Sequence, residues 1–221
     1  MAEPYRVAVY YAPGEDDPLW RAGCAWLGYD AQSGAALAQP HIAALAESTR
    51  DPRRYGFHAT LKAPMALRGA FETFLADAAQ FAALQKPFAL PRLEVTLLHG
   101  FLALCPVEPA PELYRLAAAC LKRLDVHRLP ESAEVQARRA AGRTPRQAEH
   151  IACWGYPLVL DDFRFHMTLT NTMDKNPYAA AARAHFAAAL ARTRSVDEIS
   201  IFVEDTKGAP LRLFRRLGFG A

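Results

Sequence analysis

Residues 5–12 alternate around the apolar Val7, Val9 and Tyr11 and predict a first strand, ended by Pro13-Gly14. Asp17 followed by Pro18 is an N-cap and first-turn pair that opens a short helix through Trp26, after which Gly28 and residues 30–34 read as turn. A second short helix is expected at 41–46, and residues 49–54 make a polar, basic approach to a strand-like stretch at 55–67. Phe71, Phe74, Leu75, Ala78, Phe81 and Ala82 recur at helical spacing and predict an amphipathic helix ending near Lys86-Pro87. Two extended runs, about 88–98 and 101–105, then join through His99-Gly100 as a hairpin.

The same order returns later in the chain. An extended stretch at 164–172 is followed by Asn176-Pro177, a cap and first-turn pair, and by a helical stripe that includes Tyr178, Ala182, Phe186 and Leu190. Residues 198–204 alternate as a strand, Lys207-Gly208 turns, and 211–217 supplies a closing strand. Between the two halves lies a helical insert, roughly 107–156, in which 112–124 is amphipathic and Thr144-Pro145 starts another helix. Arg138, Arg139, Arg143 and Arg146 make this insert the most basic part of the chain; they fit a solvated helical face and, as the alternative, an anion-binding lid.

Each half contains nearly the same phrase, Phe57-His58-Ala59-Thr60-Leu61 and Phe165-His166-Met167-Thr168-Leu169. In an extended chain successive side chains point to opposite faces, so His58 and Thr60 share one face, as do His166 and Thr168, while the Phe and Leu side chains take the other. A single such phrase is more often a half-buried strand with a satisfied histidine than a site. Its recurrence in two halves that each continue with a helix and a hairpin predicts two equivalent imidazoles on one groove. Alternation carried onward puts Lys62 and Thr170 on the same faces, with Tyr55 just before the first motif. Arg53, Arg54 and Arg164 are further positions near the groove, equally explained as surface residues.

At 221 residues the chain holds one large domain or two closely packed lobes, and 52% hydrophobic with 22% charged residues excludes a disordered polymer. A formal charge of +3 tolerates an anionic ligand but does not predict a surface that coats nucleic acid. The acidic, proline-bearing start Met1-Ala2-Glu3-Pro4-Tyr5 lacks the basic and apolar regions of a signal peptide, and no apolar run is long enough to span a bilayer. Cys24, Cys105, Cys120 and Cys153 are scattered without a Cys-x-x-Cys, which suits reduced core thiols in a cytoplasm. The remaining histidines never pair at metal-ligand spacing; a metal site would need Asp161 or Asp162 beside His166, with no counterpart near His58.

The paired hydrophobic-His-x-Thr-hydrophobic motifs resemble those of the two-histidine (2H) phosphoesterase superfamily. The stretches Tyr55-Gly56-Phe57-His58, Trp154-Gly155-Tyr156-Pro157, Tyr10-Tyr11-Ala12-Pro13 and Ala25-Trp26-Leu27-Gly28 are similar to a branch found in phosphonate-utilisation operons. The resemblance implies an α+β, bilobal fold of two pseudo-twofold-related antiparallel sheets flanked by helices. Lobe one would span about 5–106, the insert about 107–156 and lobe two about 157–217 of a single domain. It also implies a cyclic phosphodiesterase that needs no metal or cofactor, with His58 and His166 as base and acid in either order. Thr60, Thr168, Lys62, Thr170 and Tyr55 would bind substrate. The expected partner is a small cyclic sugar phosphate or nucleotide. The alternatives are RNA ends bearing a 2′,3′-cyclic phosphate and a phosphate-ester sensor without turnover; no membrane partner is expected.

Overall fold

A computed structural model describes residues 3–220, so Met1 and Ala2 of the amino-terminal segment lie outside the described residues. The first half contains β1 (Arg6–Tyr11), α1 (Pro18–Leu27), α2 (Leu45–Ser48), α3 (Arg50–Arg53), β2 (Ala59–Met65), α4 (Phe71–Ala83), β3 (Phe88–Leu90), β4 (Leu93–Leu98) and β5 (Phe101–Pro106). The insert contains α5 (Pro111–Leu124), α6 (Ala133–Ala140) and α7 (Pro145–Trp154). The second half contains β6 (Met167–Thr168), α8 (Ala179–Leu190), β7 (Arg194–Val196), β8 (Glu198–Glu204) and β9 (Arg212–Gly218).

Local signals act as expected at several ends. The Asp17 carboxylate accepts from the backbone N–H of Leu19 and caps α1, Thr144 does the same for Gln147 in α7, and Asn176 accepts from Tyr178 ahead of α8. The His99-Gly100 turn has positive φ at both residues, the geometry that suits a tight hairpin between β4 and β5. The short helix expected at 41–46 instead begins at Leu45, and the basic approach at 49–54 is itself mostly helical.

Seven strands form one antiparallel sheet in the order β4-β5-β6-β2-β1-β8-β9, and β3 pairs with β7 in a separate two-stranded sheet. The α+β class, antiparallel strands and flanking helices agree with the sequence reading. The halves meet where β6 pairs with β2, and each half's closing hairpin lies toward the other half: β4-β5 beside β6, β8-β9 beside β1. Pro91 falls where the extended run 88–98 breaks into β3 and β4, which belong to different sheets.

Helix α1 anchors both motifs from the buried side. At Gly23 a Cβ would fall 2.2 Å from the Phe57 ring, so only glycine lets α1 approach the first motif this closely. One turn on, the Trp26 indole N–H donates to the Leu169 carbonyl at 2.9 Å, in the second motif. Phe186 of α8 packs against both Trp26 and Phe57 and completes this layer. No described helix is long and apolar enough to cross a membrane. Three cysteines are buried or half-buried as expected of core thiols, whereas Cys153, at the end of α7, is exposed.

Candidate active site

The register of β2 and β6 is a single pair, Ala59 with Met167. One step either way along an antiparallel ladder sets His58 across from Thr168 and Thr60 across from His166. This pairing relates the two motifs to each other by a local twofold between Ala59 and Met167. Ala59, Leu61, Met167 and Leu169 are buried on one face, while the two histidines and two threonines are half-buried on the other. All four line one cavity of about 600 Å³. Regular strand is brief here, since each histidine sits immediately before its strand and β6 is two residues long.

Each imidazole is held by the same local contact. His58 Nδ1 lies 2.9 Å from the Gly56 carbonyl and His166 Nδ1 lies 2.7 Å from the Arg164 carbonyl, in both cases two residues earlier. A carbonyl can only accept, so each Nδ1 carries the proton and each Nε2 of the neutral ring keeps its lone pair. Gly56 adopts φ of +74°, a backbone conformation that glycine enters without a Cβ clash, and so brings its carbonyl back to the ring. The Thr60 hydroxyl donates to His58 Nε2 at 3.2 Å. Tyr10, directly opposite Thr60 on β1, stacks on His58 with ring centroids 3.6 Å apart and fixes the ring plane.

Burial pushes the His58 pKa down to about 4; the Gly56 carbonyl opposes that shift and the nearby His166 adds to it. Burial also lowers the His166 pKa, against the Arg164 carbonyl. Both shifts favour the neutral ring at pH 7, and an anion bound beside either ring would raise its pKa.

Two expected site residues are placed elsewhere. Tyr10 pairs with Thr60 but Val9 pairs with Lys62, so β2 carries one extra residue, Leu61, and this β-bulge interrupts the alternation. Lys62 consequently shares the face of Val9, is 2% exposed, and donates to Asp125 Oδ1 at 2.7 Å beyond the end of α5. It does not line the histidine cavity. Thr170 is buried, and its hydroxyl oxygen accepts from the Leu102 N–H at 2.9 Å and the Asn176 amide at 2.8 Å, tying β5 to the start of α8. It borders a smaller cavity of about 290 Å³, whose wall includes His58 and Thr168, rather than the main one.

Tyr55 lines both cavities, as placed by the sequence reading. Arg53 donates to the Leu27 and Ala46 carbonyls, Arg54 to the buried Glu204, and Arg164 faces another hollow. The insert does reach the site: Arg138 and Arg139 of α6 line the main cavity, whereas Arg146 pairs with Asp162. Tyr10, Arg128 and Tyr156 also line it and were not singled out as site residues. Tyr10 could have been found from strand alternation in β1, but nothing local marks Arg128. Among the described residues no three His, Cys, Asp or Glu side chains are arranged to hold a metal ion.

These features define the class first, an α+β protein whose two His-x-Thr motifs, on neighbouring paired strands, line one shared cavity. A family model described as a protein of unknown function (DUF1045) matches residues 60–212, and the chain belongs to that family. It is 38% identical over 229 residues to ribose 1,5-bisphosphate phosphokinase PhnN of Janthinobacterium sp. (strain Marseille), across 97% of this chain and 51% of that one. The protein of the same name from Laribacter hongkongensis (strain HLHK9) is 39% identical over 218 residues, across 95% and 51%. The chain thus spans about half the length of these curated relatives. Among solved structures, E. coli LigT in apo form aligns over 100% of both chains with 13% identity and a TM-score of 0.48. TT0787 of Thermus thermophilus aligns over 96% of this chain and 97% of its own, with 15% identity and a TM-score of 0.43.

Proposed function

We propose that the chain is a two-histidine phosphoesterase that hydrolyses a cyclic phosphodiester of a small sugar phosphate or nucleotide, without a metal. The observation that carries this reading is the antiparallel placement of the motifs, with both Nδ1 atoms tied back to carbonyls, so that each Nε2, that of His58 resting against the Thr60 hydroxyl, is the nitrogen able to exchange a proton. A phosphodiester is a poor electrophile and gains from a base on the attacking water and an acid on the departing oxygen, roughly in line across phosphorus. One Nε2 takes a proton from water as the new O–P bond forms. The other, protonated once the anionic substrate is bound, gives its proton to the ring oxygen as that P–O bond breaks. The products are a phosphomonoester and a free hydroxyl, and the two histidines have exchanged protonation states. The Thr60 and Thr168 hydroxyls donate to the non-bridging oxygens, where charge grows.

The wall that the insert adds to the cavity favours a small ligand over a polymer. The relatives' name concerns a ribose phosphate, and the resemblance to a phosphonate-operon branch points the same way. This chain contains no Gly-x-x-x-x-Gly-Lys-Ser/Thr loop of the kind that cradles nucleotide phosphates, so the kinase step in those relatives is assigned to their other half. The test is a panel of cyclic phosphates, ribose 1,2-cyclic phosphate 5-phosphate, 2′,3′-cyclic nucleotides and a cyclic-ended RNA, with and without EDTA. Phosphomonoester release from a small ester in the presence of EDTA is expected; binding without release would overturn the catalytic reading.

A further inference from the structure

The cavity holds more fixed positive charge than one phosphodiester requires. Arg128 follows the last turn beyond α5, and its backbone is locked by pairing of residues 127–129 with 66–68 just past β2. Its guanidinium is locked as well. Nε and Nη2 donate to the two Asp125 oxygens at 2.8 and 3.0 Å, and Nη2 also donates to the Cys153 carbonyl at 2.6 Å. Asp125 is in turn neutralised from behind by the buried Lys62, so the three side chains together leave one unit of positive charge at the cavity wall. Nη1 has no hydrogen-bond partner among the described residues and sits beside Gly155, another lining residue, where a Cβ would come within 3.5 Å of it. From α6, Arg138 lines the same cavity, likewise unpaired among the described residues, and Arg139 lines it while paired at 2.6 Å to Glu131, itself a lining residue, so the net excess comes from Arg128 and Arg138.

None of these cations touches the histidines or threonines. A cyclic phosphodiester carries a single negative charge, which the two His-x-Thr motifs already address. A preorganised guanidinium whose Nη1 keeps its N–H donors, held at the wall by an occupied fork, can donate to a phosphate oxygen. Resting on the phosphoesterase reading, we propose that Arg128, together with Arg138 and Arg139, forms a second anion subsite. The substrate is then a cyclic phosphodiester that carries a separate phosphomonoester group. Lys62, expected from the sequence to meet the reacting phosphate, serves instead as a positioning residue that holds Asp125 and, through it, Arg128.

The test is binding, measured by calorimetry with adenosine 2′-phosphate and adenosine 2′,5′-bisphosphate as probes. The proteins are the wild type, Arg128→Ala, and the double variant Arg138→Ala with Arg139→Ala on the outer helix. The wild type is expected to prefer the bisphosphate by roughly 10- to 100-fold, the worth of one or two charge-assisted hydrogen bonds. Arg128→Ala should bring that ratio to within about threefold of unity and the double variant should lower it, the latter while melting at the wild-type temperature. A ratio near one in the wild type, or one unchanged in both variants, overturns the subsite. Because the readout does not need turnover, the two readings fail separately. An intact ratio without hydrolysis of any cyclic ester overturns the activity alone, and hydrolysis with a ratio of one overturns the subsite alone.

Discussion

Lowering the pH from 7 to 5 should destabilise the fold through His58 in particular. Burial depresses its pKa to about 4, against roughly 6.5 in the unfolded chain. As pH falls below 6.5 the unfolded state takes up a proton that the native ring still refuses, so the unfolded state binds more protons and stability drops. The contribution is fully present above pH 6.5 and is lost progressively down to about pH 4. Linkage over the interval from pH 7 to 5 gives up to about 2 kcal/mol, and nearer 1 kcal/mol once the ring's partial contact with solvent is allowed for. Other groups titrate over the same range, so the quantity to measure is the difference between wild type and His58→Asn, by urea unfolding at both pH values. The wild type should lose about 1–2 kcal/mol more than the variant on acidification, with equal urea slopes. Equal losses, or a His58 ring that titrates near 6.5 by NMR in the native protein, would refute the claim that the ring is desolvated and neutral.

Gly56→Ala must place a Cβ at φ of +74° and 2.7 Å from the Ala31 Cβ, so a loss of about 1–2 kcal/mol from the left-handed backbone alone is expected by thermal melting. Turnover should fall by more than that destabilisation explains, because the carbonyl that orients His58 moves. Asp125→Ala leaves Lys62 buried without a counter-ion and should cost about 3–5 kcal/mol in urea unfolding, whereas Lys62→Met leaves Asp125 paired with Arg128 and should cost clearly less. A larger loss in Lys62→Met would reverse the reasoning. Thr60→Val and Thr168→Val should each lower kcat/KM by roughly 10- to 100-fold, about 1–3 kcal/mol of hydrogen bonding to developing charge. An unchanged rate in either would remove that threonine from the site.

Much of this was legible in the chain itself because it depends on local chemistry. Alternation put His58, Thr60, His166 and Thr168 on one face, and the Asp17, Thr144 and Asn176 caps marked helix starts that the structure keeps to within a few residues. The misplacement of Lys62 has a definite cause. Strict alternation needs an unbroken period of two, and the extra residue at Leu61 leaves no mark in composition because leucine suits either side of a bulge. Thr170 was misjudged for a similar reason, since its partners Leu102 and Asn176 come from other elements. Arg128 was invisible because its importance arises from Asp125, Lys62 and Gly155 converging in space. The pairing of β3 with β7 joins two three-residue strands from different halves, and strands that short carry no usable period.

The most direct measurement is the steady-state rate of His58→Gln, His166→Gln and the double variant on ribose 1,2-cyclic phosphate 5-phosphate. Acid and base act as a unit, so each single variant should lose roughly 10²- to 10⁴-fold and the double should fall little further than the worse single. A single variant that turns over at close to the wild-type rate would contradict the account.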